Sequence, residues 1–393
     1  MKYLFVYHTL RMGGIETYLK DLAIEINKKG DKIEILLANQ HGHSPFLLSD
    51  LKEARIKVKI LQNYNYHWLL NCLKKKSLND DTVIVTFDVL SYVFAEMIFR
   101  NESLVHITGI YHIDEWNYSR WPIMNLISKK ILSKISADSF FVYNEFVRLK
   151  YSKLLSSVPP LVPIGVKTPK NKLVSIKNNN NLKILLLGRV VGWKSFLWQT
   201  VNYLKSVKFN FELHIVGDGN EMKNFKKHCT SNLDTNNTYF YLNIDKNNLI
   251  KLCQKMDISI SVGTSAILSS SMGLPTIVGI ENSDRSSLKN YGFFSNISGY
   301  TFQEKDANLK QYPYQIIENY LEFTDNEKTN IREAHIISAR KFDLDVCLNI
   351  FKKYSKVAKN NLSQPYYSFF VIILFFINKL TPNFYQYWQR RIN

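Results

Sequence analysis

The stretch LKILLLGRVVGWKS, residues 182–195, decides the fold class of the second half of this chain. It begins with a mostly apolar run typical of a buried strand, turns at Gly188, and leads into FLWQTVNYLKSV, which suits a helix. In α/β proteins, ligands bind where a strand ends and a helix begins. Arg189 and Lys194 stand at that boundary and predict a site for an anion. The alternative is a pair of solvated cations in a lysine-rich protein.

The same alternation of strands and helices runs through the rest of the chain. Strand-like segments of the first half are KYLFVYH, DKIEILLA, KVKIL, DTVIVTF, SLVHITGIYH and ADSFFVYN; those of the second are LKILLLG, FELHIVG, TYFYLN, ISISVG and PTIVGI. Helical patterns lie between many of them, for example GGIETYLKDLAIEINKKG. Such alternation predicts parallel sheets, and therefore an α/β fold of two doubly wound, Rossmann-like domains facing a central cleft.

Proline, asparagine and apolar runs divide the sequence into four parts. We expect a first domain over residues 1–165, a linker over 166–181, a second domain over 182–362, and an aromatic, apolar tail over 363–393. The linker follows a cluster of prolines and contains the run NNNN. The tail is expected to return to the first domain as a helix or to lie on a membrane surface.

Composition limits the possible partners and the compartment. The chain has 393 residues and a formal net charge of +18, which favours polyanionic partners. The sequence shows no helix-turn-helix or zinc-finger signature, so nucleic acid is the weaker alternative. The four cysteines form no CxxC motif, which predicts a reducing cytoplasm and no metal site. MKYLFVYHTL is interpreted as a strand and not as a signal peptide, and no apolar run reaches the roughly 20 residues of a membrane span.

Three further glycine turns follow predicted strands. Gly13 and Gly14 precede a helix whose free N–H groups suit a phosphate, although for two glycines alone a plain strand–helix turn is the favoured alternative. Gly217 ends the strand FELHIV in the turn VGDG. Gly263 ends another strand, and Thr264 and Ser265 follow it as two possible hydroxyl caps and a second anion site, or as the start of an ordinary core helix.

His112 is the candidate for proton transfer or for polarising a substrate. It lies just beyond the strand SLVHITGIY and is followed by Asp114 and Glu115. A purely structural histidine is the alternative. His106, inside the same strand, is interpreted as a core residue.

Two segments suit a membrane surface. WPIMNLISKKILSKISAD combines an apolar stripe with lysines, and an ordinary helix packed on the sheet is the alternative. The tail carries the short apolar run FFVIILFFI, flanked by tyrosine, tryptophan and arginine like an interfacial anchor. Peripheral contact with an anionic membrane at its inner face is therefore expected, together with a lipid-linked acceptor.

Taken in order, these motifs resemble the glycosyltransferases of the GT-B fold, specifically family four, whose members retain anomeric configuration without a metal. The resemblance covers nearly the whole chain through GGIETYLKDLAIEINKKG, GRVVGWKS, LHIVGDGNEMKNFKK and GTSAILSSSMGLPTIV. It implies a UDP- or GDP-type sugar donor on the second domain, a saccharide acceptor on the first, and no cofactor. A polyprenyl-diphosphate-linked acceptor would reconcile such a donor with the basic charge and the membrane-like segments. The expected product is a surface polysaccharide such as O-antigen or capsule.

The resemblance also implies roles for individual residues. Arg189 and Lys194 would neutralise the leaving diphosphate, and His112 would lie near the reacting face of the sugar. The glycine turns and the helix start at Thr264 and Ser265 would approach the donor's phosphates and nucleotide. Gly13 and Gly14 would close on the same phosphates.

The sequence departs from the family where glutamates are expected. The family pattern of a Glu, seven residues and a second Glu before the G-x-P turn falls near Ile260 and on Leu268 here. No carboxylate occurs from residue 258 to residue 280. The serines at 269–271, or Glu281 from a neighbouring loop, are candidates to replace the lost carboxylates. A non-catalytic sugar- or nucleotide-binding relative, acting in an assembly complex, is therefore the alternative to an enzyme.

Overall fold

A computed structural model describes most of the chain. The described residues are 1–11, 13–61, 82–88, 91–92, 94–95, 99, 104–111, 116, 129, 132, 137–155, 157–169, 181–242, 244–297, 299–300 and 312–358. They divide into two compact units, one formed by Met1–Gly165 with the chain from Cys347 onward, the other by Val166–Val346. The sequence places the first boundary at the same position.

The first unit is built on a parallel sheet of six strands in the order β3-β2-β1-β4-β5-β6. The strands are β1 Lys2–Tyr7, β2 Lys32–Leu37, β3 Lys57–Ile60, β4 Thr82–Thr86, β5 Val105–Ile110 and β6 Phe140–Val142. Helices α1 Gly14–Lys28, α2 Pro45–Glu53 and α3 Glu145–Leu154 connect or follow them. The strand order reverses between β1 and β4, which is the doubly wound arrangement predicted from the alternating pattern.

The second unit repeats the design with five parallel strands in the order β11-β10-β7-β8-β9. The strands are β7 Leu182–Leu187, β8 Phe211–Val216, β9 Thr238–Tyr241, β10 Ile258–Ser261 and β11 Thr276–Val278. The helices are α4 Phe196–Leu204, α5 Met222–Asn232, α6 Lys246–Cys253, α7 Thr264–Ser271, α8 Ile316–Glu322 and α9 Asp325–Arg340. A small antiparallel pair joins β12 Lys289–Asn290 to β13 Tyr312–Pro313. The fold class expected from the sequence is confirmed.

The last described helix, α10 Leu344–Val357, carries the chain back to the first unit. The ring of Phe351 is fully buried and lies 5.7 Å from that of Tyr3 and 6.0 Å from that of Phe141. The hydroxyl groups of Ser355 and Tyr3 are hydrogen-bonded at 3.0 Å. The sequence division assigns residues 182–362 to the second domain, whereas residues 347–358 pack with the first unit because the apolar face of α10 covers its sheet.

Three predictions fall on residues outside the described ranges. They concern most of the linker (residues 170–180), most of the amphipathic segment WPIMNLISKKILSKISAD, and the tail over 363–393. Within the described ranges, none of the helices is long and apolar enough to cross a membrane.

Candidate functional site

The candidate site lies at the carboxyl edge of the second sheet, where the strand order reverses. Strands β7 and β10 are neighbours there. The chain continues from β7 to β8 on one side of this pair, and from β10 to β11 on the other. Because all five strands are parallel, the loops after β7, β8, β10 and β11 leave the sheet at this one edge. The predicted motifs GRVVGWKS, VGDG and GTS occupy three of these loops.

Arg189 and Lys194 lie in the loop between β7 and α4. The Arg189 side chain is exposed, and Lys194 is half-buried. The Lys194 ammonium group lies 5.3 Å from the centre of the Trp193 ring. A methyl group placed on Gly188 would lie 3.5 Å from the Lys194 Nζ, which is an ordinary van der Waals distance. The structure therefore places the ammonium group beside Gly188 at the strand end.

Glu281 is a second charged residue at this site. It follows β11, is only 2% exposed, and interacts electrostatically with Lys194. Burial raises the pKa of Glu281 to about 7, although the nearby Lys194 opposes the shift. Burial also lowers the pKa of Lys194, as does Arg189, while Glu281 acts in the opposite direction. The sequence signal for Glu281 is a carboxylate just after the strand PTIV, and only the fold brings it to Lys194.

The VGDG turn is explained by packing against the Arg189 loop. Val190 N–H donates to Asp218 O at 3.0 Å, and Gly188 N–H donates to Val216 O at 3.0 Å. A Cβ at Gly217 would lie 2.0 Å from Gly188 O, and Gly217 also has a positive φ of 151°. This glycine therefore allows two loops to touch through their backbones. A contact between Gly217 and a donor stays a prediction.

Helix α7 begins at Thr264, with Gly263 as its N-cap. Gly263 has φ +66° and no side chain that could cap the helix, so the two hydroxyl caps expected from the sequence are not formed. Thr264 and Ser265 instead belong to the first helical turn and are half-buried. Within the described residues, their backbone N–H groups donate to no protein acceptor, which is the usual state of a helix start. The predicted anion site at this helix start therefore keeps its donors.

The two positions that lack the expected glutamates are part of the apolar core. Ile260 is fully buried in β10, and Leu268 packs against the buried cluster around Leu185 and Met256. The three candidate serines lie in α7 itself, and two of them, Ser269 and Ser270, are fully buried. Ser269 Oγ accepts a hydrogen bond from Ser259 Oγ at 3.3 Å. Of the replacements considered from the sequence, Glu281 is the carboxylate that the structure places beside Lys194.

The predicted site residues of the first unit are described only in part. Gly13 is the N-cap of α1 in an extended conformation, and Gly14 is the first residue of that helix. His112 lies outside the described residues. His106 is buried, with its Nε2 3.1 Å from Thr86 Oγ1 and its ring stacked on Tyr92, which confirms its interpretation as a core residue.

The sequence analysis missed a histidine–aspartate pair in the first unit. His8 follows β1, Asp88 follows β4, and His8 Nδ1 lies 2.8 Å from Asp88 Oδ2 across the point where this sheet reverses its strand order. Burial lowers the pKa of His8, but Asp88 and Glu16 outweigh burial and Arg11, so the net shift is upward. The signal was present, since each residue directly follows an apolar strand.

No protein-family model and no curated protein sequence matches this chain. Solved structures match it over most of its length. HepE from Anabaena, solved in complex with UDP and glucose, has a TM-score of 0.65 at 14% identity and covers 91% of this chain and 100% of its own. A glycosyltransferase from Rickettsia africae gives 0.65 at 18% identity, covering 92% and 99%. The lipopolysaccharide outer core galactosyltransferase WaaB gives 0.60 at 13%, covering 90% and 99%. This chain therefore has the GT-B fold that these glycosyltransferases share.

Proposed function

We propose that this protein is a glycosyltransferase that transfers a sugar from a nucleotide-diphosphate sugar to a saccharide acceptor. The observation that supports it most is the arrangement of Arg189 and Lys194 at the carboxyl edge of the second sheet. They lie between the VGDG turn and the uncapped start of α7, on a fold shared with glycosyltransferases. Cations and open N–H groups at one sheet edge suit the two phosphates of such a donor.

In this proposal, the two cations stabilise the charge that develops on the leaving diphosphate. As the bond between the sugar and the phosphate breaks, negative charge grows on the phosphate oxygens. The Arg189 guanidinium offers a planar set of donors, and the Lys194 ammonium a compact charge. We propose that transfer proceeds without a metal and with retention of the anomeric configuration, as the resemblance to family four implies. Within the described residues, His, Cys, Asp and Glu form no cluster of three or more that could hold a metal ion.

UDP is the first nucleotide to test, with GDP as the second. HepE was solved with UDP, with UDP and glucose, and with UDP-glucose.

We propose a lipid-linked saccharide as the acceptor, in the synthesis of a surface polysaccharide. The net charge of +18 and the aromatic, apolar tail support a peripheral position on an anionic membrane. A polyprenyl-diphosphate carrier would bring both its own negative charge and the membrane surface to such a protein.

A second candidate function is binding without catalysis. It is favoured by Ile260 and Leu268, which place apolar side chains where carboxylates would hold the donor's hydroxyl groups. Such a relative would bind a nucleotide or sugar within an assembly complex. Sugar transfer, measured with the donor that binds, separates the two functions.

The test is a binding titration of the full chain with UDP, GDP and their common sugar conjugates. We expect one nucleotide to bind, and Arg189→Ala and Lys194→Ala each to weaken it by roughly 10- to 100-fold, because each removes a charge-assisted contact of about 1.5–3 kcal/mol. Lys205→Ala is the matched control, since this exposed lysine lies at the far end of α4. Equal binding by all four proteins, or no binding of any nucleotide, would contradict the proposed donor site.

A further inference from the structure

The backbone on both sides of Glu281 is fixed against the loop that carries Lys194. Asn282 N–H donates to Trp193 O at 2.7 Å, and Ser195 Oγ donates to Ile280 O at 2.9 Å. These contacts join the residues next to Lys194 with the residues next to Glu281. The two side chains are therefore held in one place, although β10 lies between their strands in the sheet.

Packing around this junction leaves little freedom for the loop after β11. A Cβ at Gly279 would lie 2.4 Å from Phe196 Cβ, so the loop touches the first residue of α4 through its backbone. Ser195 Oγ also accepts from Ser283 N–H at 3.1 Å, and Gln199 Nε2 donates to Ser283 Oγ at 2.9 Å. The Ser195 hydroxyl group therefore forms hydrogen bonds with the loop that carries Glu281 and does not cap its own helix.

The Glu281 carboxylate is buried without a full set of partners. Its Oε2 is fully buried and has no hydrogen-bond partner within the described structure, and no ion pair joins it to Lys194 there. A buried ionised carboxylate of this kind is costly, which is why burial raises the pKa of Glu281 towards neutral pH. Lys194 is the charged group that acts on Glu281, Arg189 acts on Lys194, and Asp284 and Arg285 are exposed further along the loop.

We propose that Glu281 is the proton-linked partner of Lys194 and takes up one proton from solvent when a nucleotide diphosphate binds at Arg189 and Lys194. In the empty site, an ionised Glu281 balances part of the cationic charge. A bound diphosphate supplies that negative charge instead, so the carboxylate becomes neutral and stops repelling the ligand. Glu281 acts here through Lys194 and is a positioning residue, and this inference rests on the proposed donor site.

The direction of the pH effect follows from this exchange of charges. The pKa of Glu281 is about 7 in the free protein and rises further beside a bound diphosphate. Between these two values, the free form must gain a proton before it binds well. Affinity for the ligand should therefore fall by up to about tenfold for each pH unit above neutral.

Calorimetric titration measures the proton directly. The full chain is titrated at pH 8 with UDP-glucose and with GDP-mannose, whose diphosphates have no proton that titrates near neutral pH, in buffers of different ionisation enthalpy. We expect the wild-type protein to take up a proton as it binds. Glu281→Gln, which keeps the shape of the side chain, should take up none, and should bind at pH 8 at least as tightly as the wild-type protein.

The outcomes separate this inference from the proposed function. Binding without proton uptake by the wild-type protein would leave the donor site standing and overturn the role of Glu281. Uptake that persists or grows in Glu281→Gln would place the proton on Lys194, whose pKa falls further when the carboxylate is removed, and would equally overturn it. Failure of both probes to bind would overturn the donor site and this inference together.

A control variant and a second measurement complete the test. Asp284→Asn removes an exposed carboxylate three positions along the same loop, and should leave proton uptake unchanged. If Glu281→Gln does not fold, the affinity of the wild-type protein from pH 6.5 to 8.5 decides the matter. The proposal predicts a loss of affinity as the pH rises over this range, so an affinity that does not change with pH would contradict it.

Discussion

Gly219 has no room for a side chain, although its position in the sequence suggests only a turn. An added Cβ would lie 2.0 Å from Val190 O, a backbone atom that also accepts the Glu221 N–H. Because neither loop can move without losing these hydrogen bonds, Gly219→Ala should lower the free energy of unfolding by about 1–3 kcal/mol. Urea or thermal unfolding measures the change.

Gly192→Ala is the matched control for this substitution. A Cβ at Gly192 would meet nothing within 4 Å, and this glycine lies in the same loop as Arg189. We expect its stability to stay close to that of the wild-type protein. Equal losses for both variants would mean that the close contact with Val190 O does not explain the requirement for glycine at position 219.

At the residue scale, the sequence predicts single positions better than pairs. Arg189 and Lys194 share one loop, so their association is visible in the spacing. Glu281 meets Lys194 only because β7, β10 and β11 are adjacent and parallel. His8 and Asp88 are likewise 80 residues apart and meet through the sheet. Pairs that depend on strand order cannot be found from local patterns.

At the scale of elements, a buried histidine connects helix α9 to strand β11. His335 is fully buried, its Nε2 accepts from Thr276 N–H at 2.9 Å, and its Nδ1 donates to Ile331 O at 2.8 Å. These bonds fit the neutral ring. Burial lowers the pKa of His335, although the two backbone contacts oppose the shift. His335 is therefore harder to protonate in the folded protein than in the unfolded chain.

This linkage predicts how stability changes with pH. The folded-state pKa of His335 lies below its unfolded value of about 6.5, so the unfolded state binds more protons and stability falls as the pH drops below that value. His335→Gln should cost about 1–3 kcal/mol at pH 7.5 through lost hydrogen bonds, and less at pH 5. The difference between variant and wild type, measured by urea unfolding at each pH, isolates this residue.

The exposed His41→Gln serves as the control for that series, and should follow the wild-type protein at every pH. A cost of His335→Gln that stays constant from pH 7.5 to 5 would mean that His335 is not kept neutral in the fold.

Element types were predictable because short apolar runs that alternate with helical patterns are typical of buried parallel strands. All the strand segments listed from the sequence correspond to strands β1 to β11. The caps were less predictable. Thr264 and Ser265 suit an N-cap by residue type, yet the chain turns one residue earlier because Gly263 adopts φ +66°. Backbone conformation, and not hydroxyl chemistry, decides where α7 begins.

For the whole molecule, the chain path is harder to predict than either sheet. The apolar face of α10 can cover any sheet of suitable shape, so the sequence alone does not say which unit it joins. Phe351 and Tyr354 pack among the aromatic rings of the first unit, and Tyr354 Oη donates to Asp138 O at 2.5 Å. The first unit therefore contains both early and late parts of the chain.

The net charge of +18 is a property of the whole molecule and predicts attraction to anionic membranes. The full chain should co-sediment with vesicles that contain anionic lipid at low salt, and 0.5 M salt should release it, because each basic residue near the surface contributes about 1 kcal/mol that salt screens. If the tail makes the contact, Arg390→Glu with Arg391→Glu should weaken binding by at least roughly tenfold. Lys223→Glu with Lys227→Glu, on exposed positions of α5, changes the net charge equally and should have a smaller effect. Equal losses for both pairs would mean that net charge alone explains the attraction. If the wild-type protein does not sediment with the vesicles at low salt, the proposed membrane contact is wrong.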